Sequence, residues 1–511
     1  MPTQNIFTTS LFDPEEFTIT YELVPGQGSG GRRVERLLEF AAKAHEDGRI
    51  KALSITDNPG GYPALAPIAI GSEVQKTGIE PLLHFSLKDK NRSQVESHLF
   101  LYQRQNFNNL LVLGGDFPGV NYHGQARPVF DLDSVQTLQL MRDMEEGTYK
   151  KGSSPTRPSF EPISFNRGCV VSPFKITEPE QIWQYAKLLQ KIRAGAHFTV
   201  TQLGYDICKF EELIRFFKEY RINVPILGNV FVPSLAVARH MDRGRVPGII
   251  FPDKLLRQME REETSQNKET RLIRAAKLIC VLKGLGYSGI HLGGNGLNFE
   301  NVKLILDTAE ELESNWDMLR TDVHFPVANT WYLYPQTQTG VCGTEKTNLS
   351  PGRFHEAQRP AKITHDLLFS PPGLISRFFG KICLFCSKTR KLTATLRTFE
   401  RWIKVCLFYC RMCGDCTLEG STYICPQSGC PKNLLNGPCG GSRNKTCEVF
   451  PDRYCFWVRV YNRVDPDTTL EQLGNRPYMH PKNWALDQTS SWINFYNGKD
   501  HKKIVFSKGS K

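Results

Sequence analysis

Apolar positions along the first 300 residues fall into two recurring patterns. Short, nearly continuous apolar runs rich in β-branched residues are TITYEL (18–23), KALSIT (51–56), PLLHFS (81–86), NLLVLGG (109–115), GCVVS (168–172), HFTVTQ (197–202), VPILGNV (224–230) and GIHLGG (289–294). Between them lie longer charged segments in which apolar residues return every three or four positions, such as RRVERLLEFAAKAHEDG, QIWQYAKLLQKIRAGA and KFEELIRFFKEYRI. Runs of the first kind predict strands buried on both faces, and segments of the second kind predict amphipathic helices. Eight such units in succession predict an α/β fold, a closed (β/α)8 TIM barrel, over residues 1–330. A doubly wound open sheet is the alternative, but no GxGxxG follows the first strand.

In a barrel of this kind chemistry gathers where strands end at the C-terminal face. The eight strand ends carry Glu22, Thr56 with Asp57, His84, Asp116, Ser172, Gln202, Asn229 and His291. Apolar strands closing on a ring of polar side chains predict a site at that face. Two connections, 117–165 and 231–270, are longer than routine and are expected to cover a ligand.

The chain has 511 residues, which predicts further domains beyond the barrel. Its net charge of +12 is unevenly placed. Residues 331–511 hold 26 Lys+Arg and 13 Asp+Glu, against 38 and 39 in residues 1–330. The excess suits an acidic protein partner, or simple solvation, better than nucleic acid, because no helix-turn-helix or aromatic–basic platform accompanies it. No run is long and apolar enough to span a membrane, and the first residues lack a secretory pattern, so a cytoplasmic protein is expected. Homo-oligomerisation is left open.

Cysteine usage divides the chain at the same place. Cys169, Cys208 and Cys280 are isolated and are expected to be small core residues. Eight more crowd 46 residues: Cys410, Cys413, Cys416, Cys425, Cys430, Cys439, Cys447 and Cys455. Their spacing, C-x2-C-x2-C-x8-C-x4-C-x8-C-x7-C-x7-C with Pro after Cys425 and Cys430, predicts metal ligation, either iron–sulfur clusters or zinc. The pair Cys383 and Cys386 has no second pair nearby and is expected to pack. The expected organisation is a barrel over 1–330, a linker and basic helical segment over 331–399, a small cysteine-rich metal-binding domain over 400–465, and a closing strand-and-loop extension with a basic tail over 466–511.

The pieces YELVPGQG, SITDNPGG, LLHFSLKDKNR, LVLGGDFP and AGAHFTVTQLGYD lie in order across about 16–300. They resemble the flavin-dependent methylenetetrahydrofolate reductases. The resemblance implies FAD, or FMN, at the barrel mouth with a folate stacked on it. It implies Glu22 as general acid at folate N10 and Asp116 as the acidic residue near the flavin. Thr56, His84, Asp116, Ser172 and Lys191 would contact the flavin, and Gln202, Asn229 and His291 the substrate. The chain departs from the family in having Gly114 before Gly115-Asp116 where Arg is frequent, and Ser172 where Tyr is frequent. CGDC…CP…CPK…NGPCGG…CEV, running on through PDRYCFWVRVYNR, is similar to the C-terminal module fused to or partnered with certain of these reductases. That similarity implies electron input to the flavin, from an electron-donor protein at the basic C-terminal region, so that NAD(P)H need not be the direct donor. Interconversion of 5,10-methylene- and 5-methyltetrahydrofolate is the function implied. A zinc–thiolate methyltransferase, which would need paired cysteines at a strand end, and a non-catalytic electron-transfer scaffold are the alternatives. A buried Glu22 is expected to hold its proton near neutral pH.

Overall fold

The structure, a computed structural model, describes residues 5–121, 124–147, 161–265, 269–337, 341–370 and 373–502. Eight parallel strands close into a barrel: β1 Thr18–Leu23, β2 Ile50–Ile55, β3 Glu80–Ser86, β4 Asn109–Leu113, β5 Asn166–Val171, β6 Phe198–Thr201, β7 Ile226–Val232 and β8 Gly289–Gly294. Neighbours in sequence are neighbours in the sheet, and β1 pairs with β8 in the register Thr18↔Gly289 to Tyr21↔Leu292. That last pairing rules out the open sheet. Helices from Arg32–Asp47 to Phe299–Leu312 surround the strands. Cys169, Cys208 and Cys280 are buried, as expected.

The barrel floor is built by a helix that the strand–helix pattern does not announce. Ile6–Phe12 is capped by the Asn5 side chain, which accepts a 2.9 Å bond from the Thr8 N–H. Its Phe7 meets the Phe198 ring edge-on at 5.6 Å and joins Leu11, Ala52, Leu82, Leu111 and Leu227 inside the barrel. Gly168 in β5 leaves room for this ring, since a Cβ there would collide with Phe198.

Past the last barrel helix the chain stays on the barrel. Leu333 and Tyr334 are buried, and the Leu333 N–H donates to Glu212 Oε2 at 2.6 Å. Residues 331–337 and 341–349 therefore run along the barrel wall. The basic helical segment is present as Arg359–Phe369, Leu374–Cys386 and Arg390–Phe408. The last helix runs through the boundary expected at 400, and Cys410 follows its end. Cys383 is fully buried against Trp492 and Tyr496, which fits a packing role. The expected closing strand is absent among the described residues. Residues 466–502 instead form short helices, Leu470–Gly474 and Ser491–Tyr496, while the basic tail 503–511 lies outside the described residues.

The cysteine-rich region sits on the barrel through helix Glu178–Arg193. Trp183 Nε1 donates to the Trp457 carbonyl at 2.7 Å, and the two indoles meet edge-on at 4.9 Å. Lys187 Nζ donates to the carbonyls of Gly437 and Pro438 at 3.1 and 2.9 Å. On the neighbouring helix Ser134–Glu145, the capping Asp133 accepts the Leu435 and Asn436 N–H groups. No described helix is long and apolar enough to cross a membrane.

Candidate active site

At the C-terminal face of the strands lies a cavity of about 340 Å³. All ten barrel residues picked out in the sequence line it: Glu22, Thr56, Asp57, His84, Asp116, Ser172, Lys191, Gln202, Asn229 and His291. Parallel strands in one register bring residues far apart in the chain to one level. Leu113, Val170, Val200 and Leu434 supply apolar wall between them.

The centre of the site is a carboxyl–imidazole contact. Glu22 Oε2 at the end of β1 lies 3.6 Å from His291 Nε2 in β8. Thr20 sets the imidazole tautomer. Its hydroxyl donates to the Ile290 carbonyl at 3.2 Å, so it accepts from His291 Nδ1 at 2.9 Å. With Nδ1 protonated, Nε2 is the ring nitrogen that faces the carboxylate. Burial pushes the Glu22 carboxyl up, but His291, with a smaller contribution from His84, outweighs it and holds the group below its ordinary value. The expectation of a Glu22 protonated by burial alone is corrected: its imidazole partner outweighs burial and favours the ionised carboxylate. His84 is held down to about 4 by burial and is neutral, with Nε2 2.6 Å from Ser54 Oγ.

Asp116 Oδ2 accepts the Gly60 N–H at 2.9 Å at the cavity rim. Asp57, although at a strand end, is spent on structure: it accepts the Ser86 N–H at 3.1 Å and pairs with Lys90 at 2.7 Å. Lys191 donates to the Val170 carbonyl at 2.6 Å, and burial lowers it to about 8. Gln202 and Asn229 present their side chains to the cavity. Thr56, Ser86 and Ser172 each bury a hydroxyl oxygen with no protein partner, and all three line the cavity. Orphaned buried hydroxyls in a native site call for a ligand to satisfy them. Three of them between apolar walls suit a flat ring system rimmed with heteroatoms.

The opposite wall is not part of the barrel. Lys432, Leu434, Pro438, Cys439, Gly441 and Glu448 of the cysteine-rich region face the strand ends across the cavity. Lys432 donates to the Gly115 carbonyl at 2.9 Å and pairs with Glu448. Burial by itself lowers its ammonium, but Cys439, Glu448 and Asp116 around it hold it above its ordinary value. Lys432 and Glu448 were not singled out in the sequence. No local pattern marks them, because they reach the barrel only through the docking of the whole region.

The eight thiols fall into two sets in chain order. Burial, and then facing Cys416 and Cys425, raises Cys410 and Cys413. Cys430, Cys439 and Cys455 are raised by burial and by one another, with Cys447 beside Cys430 and Cys439. None of the eight is in a disulfide. Among the described residues, no three of these sulfurs lie within 4.8 Å of one another. A zinc tetrahedron with bonds of about 2.3 Å would set them about 3.8 Å apart. Cys439, of the second set, lies in the cavity wall.

The model of the methylenetetrahydrofolate reductase family matches residues 8–308, more than half of the chain. The chain belongs to the methylenetetrahydrofolate reductase family. A second family model, described as the methylenetetrahydrofolate reductase C-terminal region, matches residues 390–485. The reductase-family barrel and the cysteine-rich region are thus each matched separately. A curated relative, a probable methylenetetrahydrofolate reductase (NADPH) of Caenorhabditis elegans, is 23% identical over 259 residues, 49% of this chain and 35% of the relative. The match therefore spans about a third of that protein's length. Among solved structures, a protein from Clostridium thermocellum that binds two copies of 5-methyl-5,6,7,8-tetrahydrofolic acid is 13% identical, with a TM-score of 0.41, covering 61% of this chain and 99% of its own. A 2,3-dimethylmalate lyase is 11% identical, with a TM-score of 0.33, covering 63% and 88%.

Proposed function

We propose that this member of the reductase family interconverts 5,10-methylene- and 5-methyltetrahydrofolate at the barrel mouth, with a flavin, FAD or FMN, as the resident cofactor. The observation that carries the reading is the Glu22–His291 pair, a carboxyl and an imidazole 3.6 Å apart in a cavity of orphaned hydroxyls. When bound, the flavin supplies or accepts the hydride. Methylene reduction consumes one hydride and one proton, so a protein group must deliver that proton to the opening ring nitrogen. Glu22 is that group, and His291 reloads it; in the reverse direction the pair takes the proton back. A substrate that displaces solvent between them raises the cost of two separated charges and favours the neutral carboxyl. Asp116 offers a fixed negative charge for the iminium cation formed on ring opening. Thr56, Ser86, Ser172 and Lys191 would hold the flavin ring, while Gln202 and Asn229 would hold the folate.

The two thiol sets would hold iron–sulfur clusters or zinc, both of which take cysteine thiolates as ligands. Cys439 in the cavity wall supports electron exchange between the second set and the flavin, with a protein donor or acceptor in place of NAD(P)H. The test is Glu22→Gln in the purified protein. It should retain flavin, seen in its visible spectrum, and lose turnover by about 10²-fold or more. Flavin-replete Glu22→Gln with near-normal turnover would overturn the assignment. A protein that takes up no flavin would overturn the wider reading.

A further inference from the structure

Helices Leu374–Cys386 and Arg390–Phe408 form a hairpin whose outer surface has the wrong character for solvent. Their inner residues, among them Phe379, Cys383, Leu396 and Ile403, pack on Trp492, Phe495 and Tyr496. On the first helix, Leu374, Phe378, Ile382 and Phe385 recur at helical spacing and share an outward face; Phe378 is 68% exposed and Phe385 60%. On the second, Phe399 and Trp402 stand at the margin of the packed face; the Phe399 ring meets Trp492 edge-on, and Trp402 is 68% exposed. Scattered exposed apolar residues are ordinary, but an outward ridge of Leu, Phe and Ile with exposed Phe and Trp on the next helix is not.

The charges beside these residues have one sign. Arg377 and Lys381 flank the ridge, and Arg390, Arg397 and Arg401 run along the second helix; all are exposed. The single acid between residues 373 and 409 is Glu400, which is fully buried and bonded to Lys404 at 2.9 Å and to the Ser491 hydroxyl at 2.7 Å. A second copy docking symmetrically on this face would set arginine against arginine. A surface that accepts aromatic and aliphatic side chains and offers fixed negative charge at the same level is an anionic lipid interface.

We propose that the hairpin of residues 374–408 is a membrane-surface docking face that lies flat on an anionic phospholipid bilayer. Its exposed apolar residues enter the boundary of head groups and acyl chains while its basic residues meet lipid phosphates. Neither helix crosses the bilayer, consistent with the absence of any described membrane-spanning helix. The hairpin also walls an apolar cavity of about 430 Å³ that includes Cys416, so a bilayer held here lies on the side of the first thiol set. The inference does not depend on the folate chemistry.

The experiment is co-sedimentation of the full chain with vesicles of roughly two parts phosphatidylcholine to one part phosphatidylglycerol. The protein should pellet with these vesicles and partition about tenfold or more weakly onto pure phosphatidylcholine, or at high salt. Phe378→Glu combined with Phe385→Glu should lower binding to the anionic vesicles about tenfold or more, while the exposed position of both leaves the unfolding midpoint unchanged. Failure of the unaltered protein to bind anionic vesicles would overturn the proposal. So would binding that ignores lipid charge and the double substitution. A lipid-free dimer that the same substitution dissociates would assign the face to a second copy instead.

Discussion

Thr20 has one hydroxyl proton and gives it to the Ile290 carbonyl, so His291 is left with a single tautomer whose Nε2 faces Glu22. A residue with no reactive role thereby decides which ring nitrogen meets the carboxyl. His84 shows the other effect of burial. Its folded value of about 4 lies below the ordinary 6.5, so the unfolded chain binds this proton more readily between those pH values. The corresponding stability is present above pH 6.5 and lost as pH falls towards 4. The loss is on the order of 3 kcal/mol. His84→Gln should therefore show a smaller fall in unfolding midpoint between pH 6.5 and 4 than the unaltered protein, measured by circular dichroism. Lys432 and Glu448 are both almost fully buried and paired with each other. Lys432→Met should cost about 3–5 kcal/mol by stranding the carboxylate, and adding Glu448→Leu should restore most of it. Denaturant unfolding of the single and double variants measures both.

At the scale of elements, the helix Ile6–Phe12 and the helix Glu178–Arg193 do work that their local patterns do not show. The first is seven residues long and too short to be stable by itself, so its structure comes from burying Phe7 and Leu11 in the barrel floor. Phe7→Ala should destabilise the fold by about 3–5 kcal/mol, read from chemical unfolding, with the cavity at the opposite face untouched. The second reads as amphipathic, with Glu180, Gln181, Gln184, Lys187 and Lys191 on a polar face. All five are buried, because that face receives the cysteine-rich region and the cavity wall. Gln184 donates to the Cys439 carbonyl, Lys187 to those of Gly437 and Pro438, and Lys191 to that of Val170, in place of water.

At the scale of the molecule, the cysteine-rich region is the lid of the cavity and, on the proposed reading, a metal-binding unit. It has little periodic apolar sequence of its own, so its stability rests on its contact with the barrel and on its ligands. The division into Cys410, Cys413, Cys416 and Cys425 on one side and Cys430, Cys439, Cys447 and Cys455 on the other predicts two independent centres. Cys413→Ala should lose one centre and keep the other, and Cys430→Ala the reverse, both by metal analysis. Only the second should disturb the flavin spectrum, because only that set reaches the cavity. Loss of all metal from either variant would show a single shared centre.

Strand and helix periods in the first 300 residues were enough to read the barrel, since a closed parallel sheet buries each strand on both faces and leaves a continuous apolar run in the chain. The polar strand ends were legible for the same reason: Glu22, His84 and His291 interrupt such runs where only a functional face explains them. What the chain could not show was what meets what across long separations. Asp57 carries the same strand-end signal as its neighbours yet is consumed by Lys90. The proton state of Glu22 depends on an imidazole 269 positions away. The mouth is closed by Lys432 and Glu448, whose surroundings in sequence are glycine-rich loop. Local periodicity records how each element buries itself; pairing of charges and closure of a cavity are set by docking of one unit on another, and that exists only in the folded molecule.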